Sequence, residues 1–130
     1  MAAATRFLIS GRNKVVINVT GVFSAADETD TILIDKSTLI GPLGVEPGSI
    51  RVDEITWAVG AGFDSVLLEW DHTADDIVDY FQGQGYIDYR PYGGKNDPES
   101  AGGTGDLILT TSGGAAGDTY SFLIHCTLKA

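Results

Sequence analysis

The chain has 130 residues, 17 of them glycine, and a formal net charge of −10 at pH 7. A chain of this length can bury one hydrophobic core without help from metals. Its scattered lysines and arginines exclude the clustered basic surface that nucleic-acid binding requires. Its one cysteine, Cys126, excludes an intramolecular disulfide, and the alternating apolar run around that cysteine predicts a buried thiol rather than a catalytic one.

The N-terminal third predicts three short strands, at residues 6–9, 14–23 and 31–36, with Gly21 as a bulge or bend in the second. Residues 1–12 are either an extended arm or the start of the first strand. The apolar run Phe7-Leu8-Ile9 is too short for a signal-peptide core or a membrane span. We therefore expect a protein that is made and kept in a cytoplasm, or that leaves it by a route that needs no signal, and that has no membrane partner.

The stretch at residues 50–70 holds both tryptophans and two alternating apolar runs separated by Gly60-Ala61-Gly62. It predicts an antiparallel hairpin in the middle of a sheet, with Trp57 and Trp70 both largely buried. In the first run the apolar positions change parity at Asp53-Glu54. That change predicts either a β-bulge there or a strand that passes from one sheet to another.

Residues 71–85 fit two templates. Thr73 followed by Asp76 resembles a capping box, which would begin a helix of at most about two turns that ends at Gly83. The alternation of Val78 and Tyr80 predicts a strand instead. The sequence leaves the choice open.

Further strands are predicted at residues 86–90, 106–111 and 119–129, the last with the clearest alternation of apolar residues. Long loops rich in glycine and proline are predicted at residues 37–49 and 91–105. About eight strands with at most one short helix indicate a single all-β domain. The predicted fold class is an antiparallel β-sandwich with a jelly-roll-like arrangement.

An acidic run offers the one candidate metal site, formed by Asp71, Asp75, Asp76 and Asp79. Several carboxylates together can bind Ca²⁺. The spacing of an EF-hand is missing, however, and an acidic turn is ordinary in a protein of this charge. We therefore expect neither a metal nor another cofactor.

The sequence carries no signature of catalysis. His72 and His125, the two histidines, lack the spacing of zinc ligands. No Gly-x-Ser-x-Gly elbow is present for a serine nucleophile. The glycine-rich runs at residues 102–106 and 113–118 bring no lysine and open no predicted helix, so they predict turns rather than phosphate-binding loops. The expectation is a protein that is not an enzyme.

Tyrosines and loop residues are the candidates for contact with another protein, since interfaces are enriched in Tyr and Arg. Stacking on a sugar is the alternative use of such tyrosines. The interface candidates are Tyr86, Tyr89, Arg90, Tyr92, Pro42 and Leu43.

Several segments carry a resemblance to a known class of protein: ITWAVG at residues 55–60, VLLEW at 66–70, GQGYIDYR at 83–90, GTGDLILTT at 103–111 and GDTYSFLI at 117–124. With the residues that follow to 129, these turn-and-strand patterns resemble small virion structural proteins of tailed bacteriophages, of the kind that decorate (cement) the capsid. The resemblance covers roughly the C-terminal two-thirds and leaves out residues 1–38.

The resemblance implies a non-enzymatic capsid decoration protein on the virion surface. It also implies a homo-oligomer, with a trimer as the expected state, and a partner that is the major capsid protein or another virion protein. The alternative is a β-module of the phage tail or baseplate that binds carbohydrate. A small hydrolase is the third class, since dispersed catalytic residues escape a reading of motifs.

Overall fold

The computed structural model describes residues 3–23 and 26–130. Within these ranges the chain forms ten strands, which are β1 Ala4–Ser10, β2 Lys14–Val22, β3 Thr31–Ile34, β4 Ser49–Val59, β5 Ser65–Trp70, β6 Asp76–Phe81, β7 Gln84–Asp88, β8 Lys95–Asn96, β9 Leu107–Ser112 and β10 Thr119–Lys129. Two 3₁₀ turns, Lys36–Thr38 and Arg90–Tyr92, are the helical elements of the described chain.

The strands form two antiparallel sheets. The first has the order β1-β2-β10-β4-β7, with β8 also paired to β4, and the second has the order β3-β9-β5-β6. Their facing apolar side chains form one buried cluster. The predicted all-β sandwich is therefore confirmed, with ten strands where about eight were expected.

The centre of the first sheet is β10, which pairs with β2 on one side and β4 on the other. Its alternation is as predicted, because one face is buried from end to end and the other face is half-buried. Cys126 lies on the buried face with no exposed surface, so the predicted buried thiol is confirmed. The buried side chains of β10 are Tyr120, Phe122, Ile124, Cys126 and Leu128.

The parity change in β4 is a β-bulge, as predicted. His125 pairs with Glu54 and Cys126 pairs with Val52, which leaves Asp53 as the extra residue. The buried Asp53 carboxylate accepts hydrogen bonds from Arg51 Nε at 2.7 Å and from Thr127 Oγ1 at 2.5 Å. The bulge thus places a satisfied polar side chain where simple alternation would bury an apolar one.

The predicted hairpin at residues 50–70 is wrong. Its two runs are β4 of the first sheet and β5 of the second, where β5 lies between β9 and β6. Residues 60–64 cross between the sheets. Gly60 donates to the Thr119 carbonyl at 2.8 Å, and Phe63 is buried. Alternation reports that a strand has one buried face, but it does not say which strand lies beside it.

Of the two tryptophans, only Trp70 is fully buried, with 1% of its surface exposed. Trp57 is half-buried, lies over Gly85 of the neighbouring β7, and donates from Nε1 to the Gln82 carbonyl at 2.9 Å. Both tryptophans are therefore largely buried, as predicted, and Trp57 is the less deeply buried of the two, packed against the edge of the core.

Three further expectations are settled by the pairing. Within residues 71–85 the strand alternative holds, as β6. Gly21 pairs in regular register with Tyr120, so it is no bulge. A Cβ at Gly21 would lie 2.2 Å from the Tyr120 ring, and close packing explains the glycine instead. From Ala4 onward the N-terminal segment is a paired strand rather than a free arm, while Met1 and Ala2 lie outside the described residues.

We expect Trp70→Ala to lower the free energy of unfolding by about 3–5 kcal/mol, because it empties a large site in the sealed core. Trp57→Ala is the matched control and should cost clearly less, since that side chain is only partly buried at the edge of the core. Urea denaturation followed by circular dichroism measures both. Equal losses for the two variants would contradict the assigned core.

Candidate functional site

One buried cluster of titratable side chains is centred on His72. This residue lies in the turn between β5 and β6, and its ring reaches the loop between β8 and β9. Nδ1 is 2.8 Å from the Gly102 carbonyl oxygen, and Nε2 is 2.6 Å from Asp97 Oδ1. Asp97 and His72 are both buried. We call His72, Asp97 and the neighbouring Asp76 the His72 cluster.

The two short contacts of the His72 ring require a proton on Nδ1 and a second proton between Nε2 and Asp97. A carbonyl oxygen only accepts, so Nδ1 of His72 must donate to Gly102. A carboxylate oxygen 2.6 Å from Nε2 also needs a proton between the two atoms. The ring is therefore an imidazolium paired with the Asp97 carboxylate, or it shares that proton with Asp97. Both ring nitrogens are engaged.

The pKa of His72 is raised above its ordinary value. Burial acts against the charged ring and would lower it. The hydrogen bond to the Gly102 carbonyl, together with the hydrogen bond and negative charge of Asp97 and the charge of Asp76, outweighs that effect. Asp76 Oδ2 lies 3.9 Å from Nε2, and it is a buried oxygen without a hydrogen-bond partner.

The same two segments are joined by backbone hydrogen bonds around the ring. Thr73 donates to the Ala101 carbonyl at 3.2 Å, and Gly105 donates to the Asp71 carbonyl at 2.8 Å. A Cβ on Gly103, which has φ +69°, would lie 2.3 Å from the Asp71 carbonyl oxygen. The glycine-rich run at residues 102–106 therefore lets the loop lie directly against the turn before β6.

His72, Asp76 and Asp97 each offer a ligand atom, and all three atoms lie within 4.8 Å of one another. Two ligands on one zinc ion, each about 2.1 Å from the metal in tetrahedral geometry, are separated by more than about 3 Å. The 2.6 Å between Nε2 and Asp97 Oδ1 is instead the length of a charge-assisted hydrogen bond. As arranged, the cluster holds a proton.

The four predicted metal candidates do not converge on one point. Asp71 accepts from the Thr104 hydroxyl at 2.9 Å, and Asp79 accepts from the Tyr89 hydroxyl at 2.8 Å. Asp75 accepts from the His72 backbone N–H at 3.0 Å, while Asp76 belongs to the His72 cluster. Most of these carboxylates therefore organise the turn before β6 or anchor a neighbouring side chain.

A second acidic group joins Asp30, Glu69 and Asp75, which lie half-buried or exposed on the second sheet. Burial raises the pKa of the Glu69 carboxyl, and the negative charges of Asp75 and Asp30 raise it further. These three carboxylates form a region of negative charge beside the second sheet.

The remaining candidate nucleophile is Cys126, which is inaccessible. Burial first, and then the charge of Asp53, raises the pKa of its thiol well above the ordinary range. A thiol held protonated in the core is unsuited to nucleophilic attack.

The predicted interface residues divide into exposed and internal positions. Tyr92 is 86% exposed, and Leu43 is 75% exposed. Tyr86 is exposed, although its hydroxyl donates to Glu54. Pro42 is half-buried.

Arg90 is exposed and donates two side-chain hydrogen bonds to Asp88, each 2.9 Å long. The prediction for Tyr89 is wrong, since the ring is only 5% exposed and its hydroxyl is held by Asp79. Lys95 Nζ lies 5.4 Å from the centre of the same ring. Composition marked this residue as a contact, but the structure places it in the core.

Two features escaped the reading of the sequence. The partner of His72 is 25 residues away, beyond the reach of any local motif. The strand β1 exposes three consecutive apolar side chains, Phe7, Leu8 and Ile9, at 41%, 51% and 49%. The segment that contains β1 also stands out by its charge, because no acidic residue occurs before Asp27 in an otherwise acidic chain.

The His72 cluster predicts a pH dependence of stability. Because the folded-state pKa is raised above the unfolded value of 6.5, the stabilisation is complete below that pH. It is lost as the pH rises through the folded-state pKa. We therefore expect the midpoint of thermal unfolding to fall over this range in the wild type, and an NMR titration to give His72 a pKa above 6.5.

His72→Gln and Asp97→Asn should both remove this part of the pH dependence. His125→Gln is the matched control, because His125 lies on β10 away from the cluster and its loss should leave the dependence in place. A pH profile that is unchanged in His72→Gln would show that the ion pair contributes nothing to stability.

Comparison of the chain with models of protein families, with curated proteins and with solved structures finds no match. Among the described residues, no helix is long and apolar enough to cross a membrane. A function is therefore proposed from the resemblance in the sequence and from the surface of the protein.

Proposed function

We propose that this chain is a non-enzymatic structural protein of a tailed-phage virion, which binds the capsid exterior to decorate and stabilise it. The proposal combines the resemblance in the strand and turn sequences with one observation of the structure, a rigid surface loop that exposes aliphatic side chains. The partner is the major capsid protein or another virion protein. The expected state is a homo-oligomer, with a trimer implied by the resemblance.

The loop that carries the proposal spans residues 40–45, and we call it the aliphatic loop. Three of its side chains face water, with Ile40 56% exposed, Leu43 75% exposed and Val45 64% exposed. Single exposed aliphatic residues are ordinary on a protein surface. Three within six residues form a patch of the kind that marks a contact with another protein.

The backbone of the aliphatic loop is closed on itself. Gly41 donates to the Val45 carbonyl at 2.7 Å, and Gly44, with φ +80°, donates to the Gly41 carbonyl at 3.0 Å. Lys36 Nζ braces the segment that follows, 3.3 Å from Glu46 Oε2. A partner would thus meet side chains that are already in place, which lowers the entropy lost on binding.

A recess of about 260 Å³ adjoins the loop on the side of the β1–β2 turn. Its walls are Ser10, Gly11, Arg12, Thr38, Leu39 and Ile40. The recess and the protruding side chains together give a surface with both a projection and a hollow, which suits a shape-specific contact.

The size of the patch favours many weak contacts over one strong contact. Burying one aliphatic side chain contributes about 1.5–3 kcal/mol before the costs of association. An oligomer carries several copies of the loop, and binding of one copy raises the effective concentration of the others. Decoration of a repeating shell uses this kind of multivalency.

The non-enzymatic part of the proposal is supported by the state of the reactive groups. Both ring nitrogens of His72 are occupied, and Cys126 is sealed in the core. An esterase or glycosidase activity of the purified protein that disappears in His72→Ala would overturn this part.

A phage tail or baseplate β-module that binds carbohydrate is the second candidate. It is favoured by exposed tyrosine rings, since Tyr80 and Tyr86 are each 57% exposed and Tyr92 is 86% exposed. Exposed aromatic faces can stack on sugars.

Antibodies against the protein should label the heads of intact virions in electron micrographs. In a binding assay on particles that lack the protein, Leu43→Glu should reduce binding, because it places a charge where an aliphatic contact is needed. Ala116→Glu adds the same charge in a distant exposed turn and should bind like the wild type. Label confined to the tail would favour the second candidate, and virions without the protein would refute both.

A further inference from the structure

The free edge at one flank of the sandwich is β1, which pairs with β2 alone. Every residue from Arg6 to Ser10 is exposed, so neither face of this segment is covered. A long, apolar edge strand exposes unpaired backbone groups and is a template for pairing with another strand. Proteins usually blunt such an edge. Here the register shifts between Phe7 and Ile9, which leaves Leu8 as an extra residue, but Phe7, Leu8 and Ile9 keep the edge apolar.

The charge around β1 is opposite to that of the whole protein. The chain before Asp27 has three basic residues, Arg6, Arg12 and Lys14, and no acidic residue. All three are exposed. We call β1 with these side chains the basic edge.

The second sheet ends in a free edge of the other sign. Its last strand, β6, pairs with β5 alone. Residues 52–89, which include β6, hold nine acidic residues and no lysine or arginine. On β6 itself Ile77, which follows Asp76, is 53% exposed, and Tyr80, which follows Asp79, is 57% exposed. We call this strand with the turn before it the acidic edge.

The other free edge on the acidic side is less suited to a partner. On β7, the Asp88 carboxylate already accepts two hydrogen bonds from Arg90, so a partner has no free negative charge to pair with there. The Tyr86 hydroxyl is likewise occupied by Glu54. On β6 the exposed side chains are apolar and the nearby charges lack a basic partner, apart from His72 beside Asp76.

We infer that the basic edge of one copy pairs with the acidic edge of a second copy, adding β1 to the second sheet of its neighbour. The inference deepens the proposed function, since it assigns surfaces to the homo-oligomer named there. The two strands have similar lengths, seven and six residues. Backbone hydrogen bonds, apolar contacts and opposite charge would act together across them.

The arrangement is head-to-tail, because two different surfaces meet: the β1 edge of one copy and the β6 edge of the next. In such a contact each copy gives one edge and receives another. The product is a closed ring where the rotation between copies closes, and an open chain of copies where it does not.

Two double variants, one on each edge, test whether copies associate through this contact. Leu8→Glu with Ile9→Glu places acidic side chains on the basic edge, where they would repel the acidic edge. Ile77→Lys with Tyr80→Lys places basic side chains on the acidic edge, where they would repel the basic edge. All four positions are exposed, so the fold should survive, and circular dichroism with thermal melting checks it.

Sedimentation velocity over a concentration series is the measurement. The wild type should sediment as an oligomer, and each double variant alone should return to the mass of a single chain, 13.7 kDa. An equal mixture of the two variants should associate again, because the native edge left on each one is complementary to that of the other. Ala116→Glu is the matched control, since it adds an acidic side chain at an exposed position outside both edges, and it should associate like the wild type.

Three results would overturn the inference. They are a wild type that stays at the mass of one chain, a mixture of variants that stays at that mass, and a Lys variant that associates alone through β1 paired with β1. Each of these leaves head labelling of virions unaffected, so the role in decorating the capsid would stand without this contact between copies. Recovery on mixing without label on virion heads would leave the inference standing and refute the proposed function.

Discussion

The burial of one face of β10 against the second sheet is the constraint on which the rest of the structure depends. This strand has neighbours on both sides, β2 and β4, and its inward side chains from Tyr120 to Leu128 run the length of the core. Because side chains alternate with a period of two, the register of β2 and β4 against β10 decides which of their residues are buried. The bulge at Asp53 keeps both halves of β4 in phase with that core, and its buried carboxylate is held by Arg51 and Thr127.

The sequence was most informative where the signal is local. Alternation located β10 to the residue, and the change of parity at Asp53 located the bulge, since both depend only on which side of a strand each residue faces. Which strands lie side by side in a sheet does not follow from a local pattern. The runs of β4 and β5 alternate as a hairpin would, yet Phe63 and the crossing at Gly60 send them to different sheets. No local pattern records that choice.

The candidate site shows the same limit more sharply. The four aspartates close together in sequence were the one candidate for a cation site, although no metal was expected there. The buried contact at the turn is made instead by His72, whose partner Asp97 comes from another loop. A capping-box pattern at Thr73 and an alternating pattern at Val78 were equally good locally. The loop that lies against the turn, through Gly102 and Gly103, and the pairing of β6 with β5 favour the strand. Composition also failed for Tyr89, because a tyrosine with a carboxylate partner can be buried as easily as it can be exposed.

Charge distribution connects the fold to the proposed assembly. Net charge alone would keep copies of this chain apart, because like-charged proteins repel. The repulsion is not uniform over the surface, however, since the basic residues before Asp27 lie on β1, in the turn after it and at the start of β2, while an acidic run lies before and within β6. Most orientations of two copies would therefore be repulsive, and the proposed orientation, which joins these two edges, would be attractive. A strongly acidic chain with one basic flank can in this way remain dispersed against random contacts and still associate in one geometry, which is what repeated placement on a shell requires.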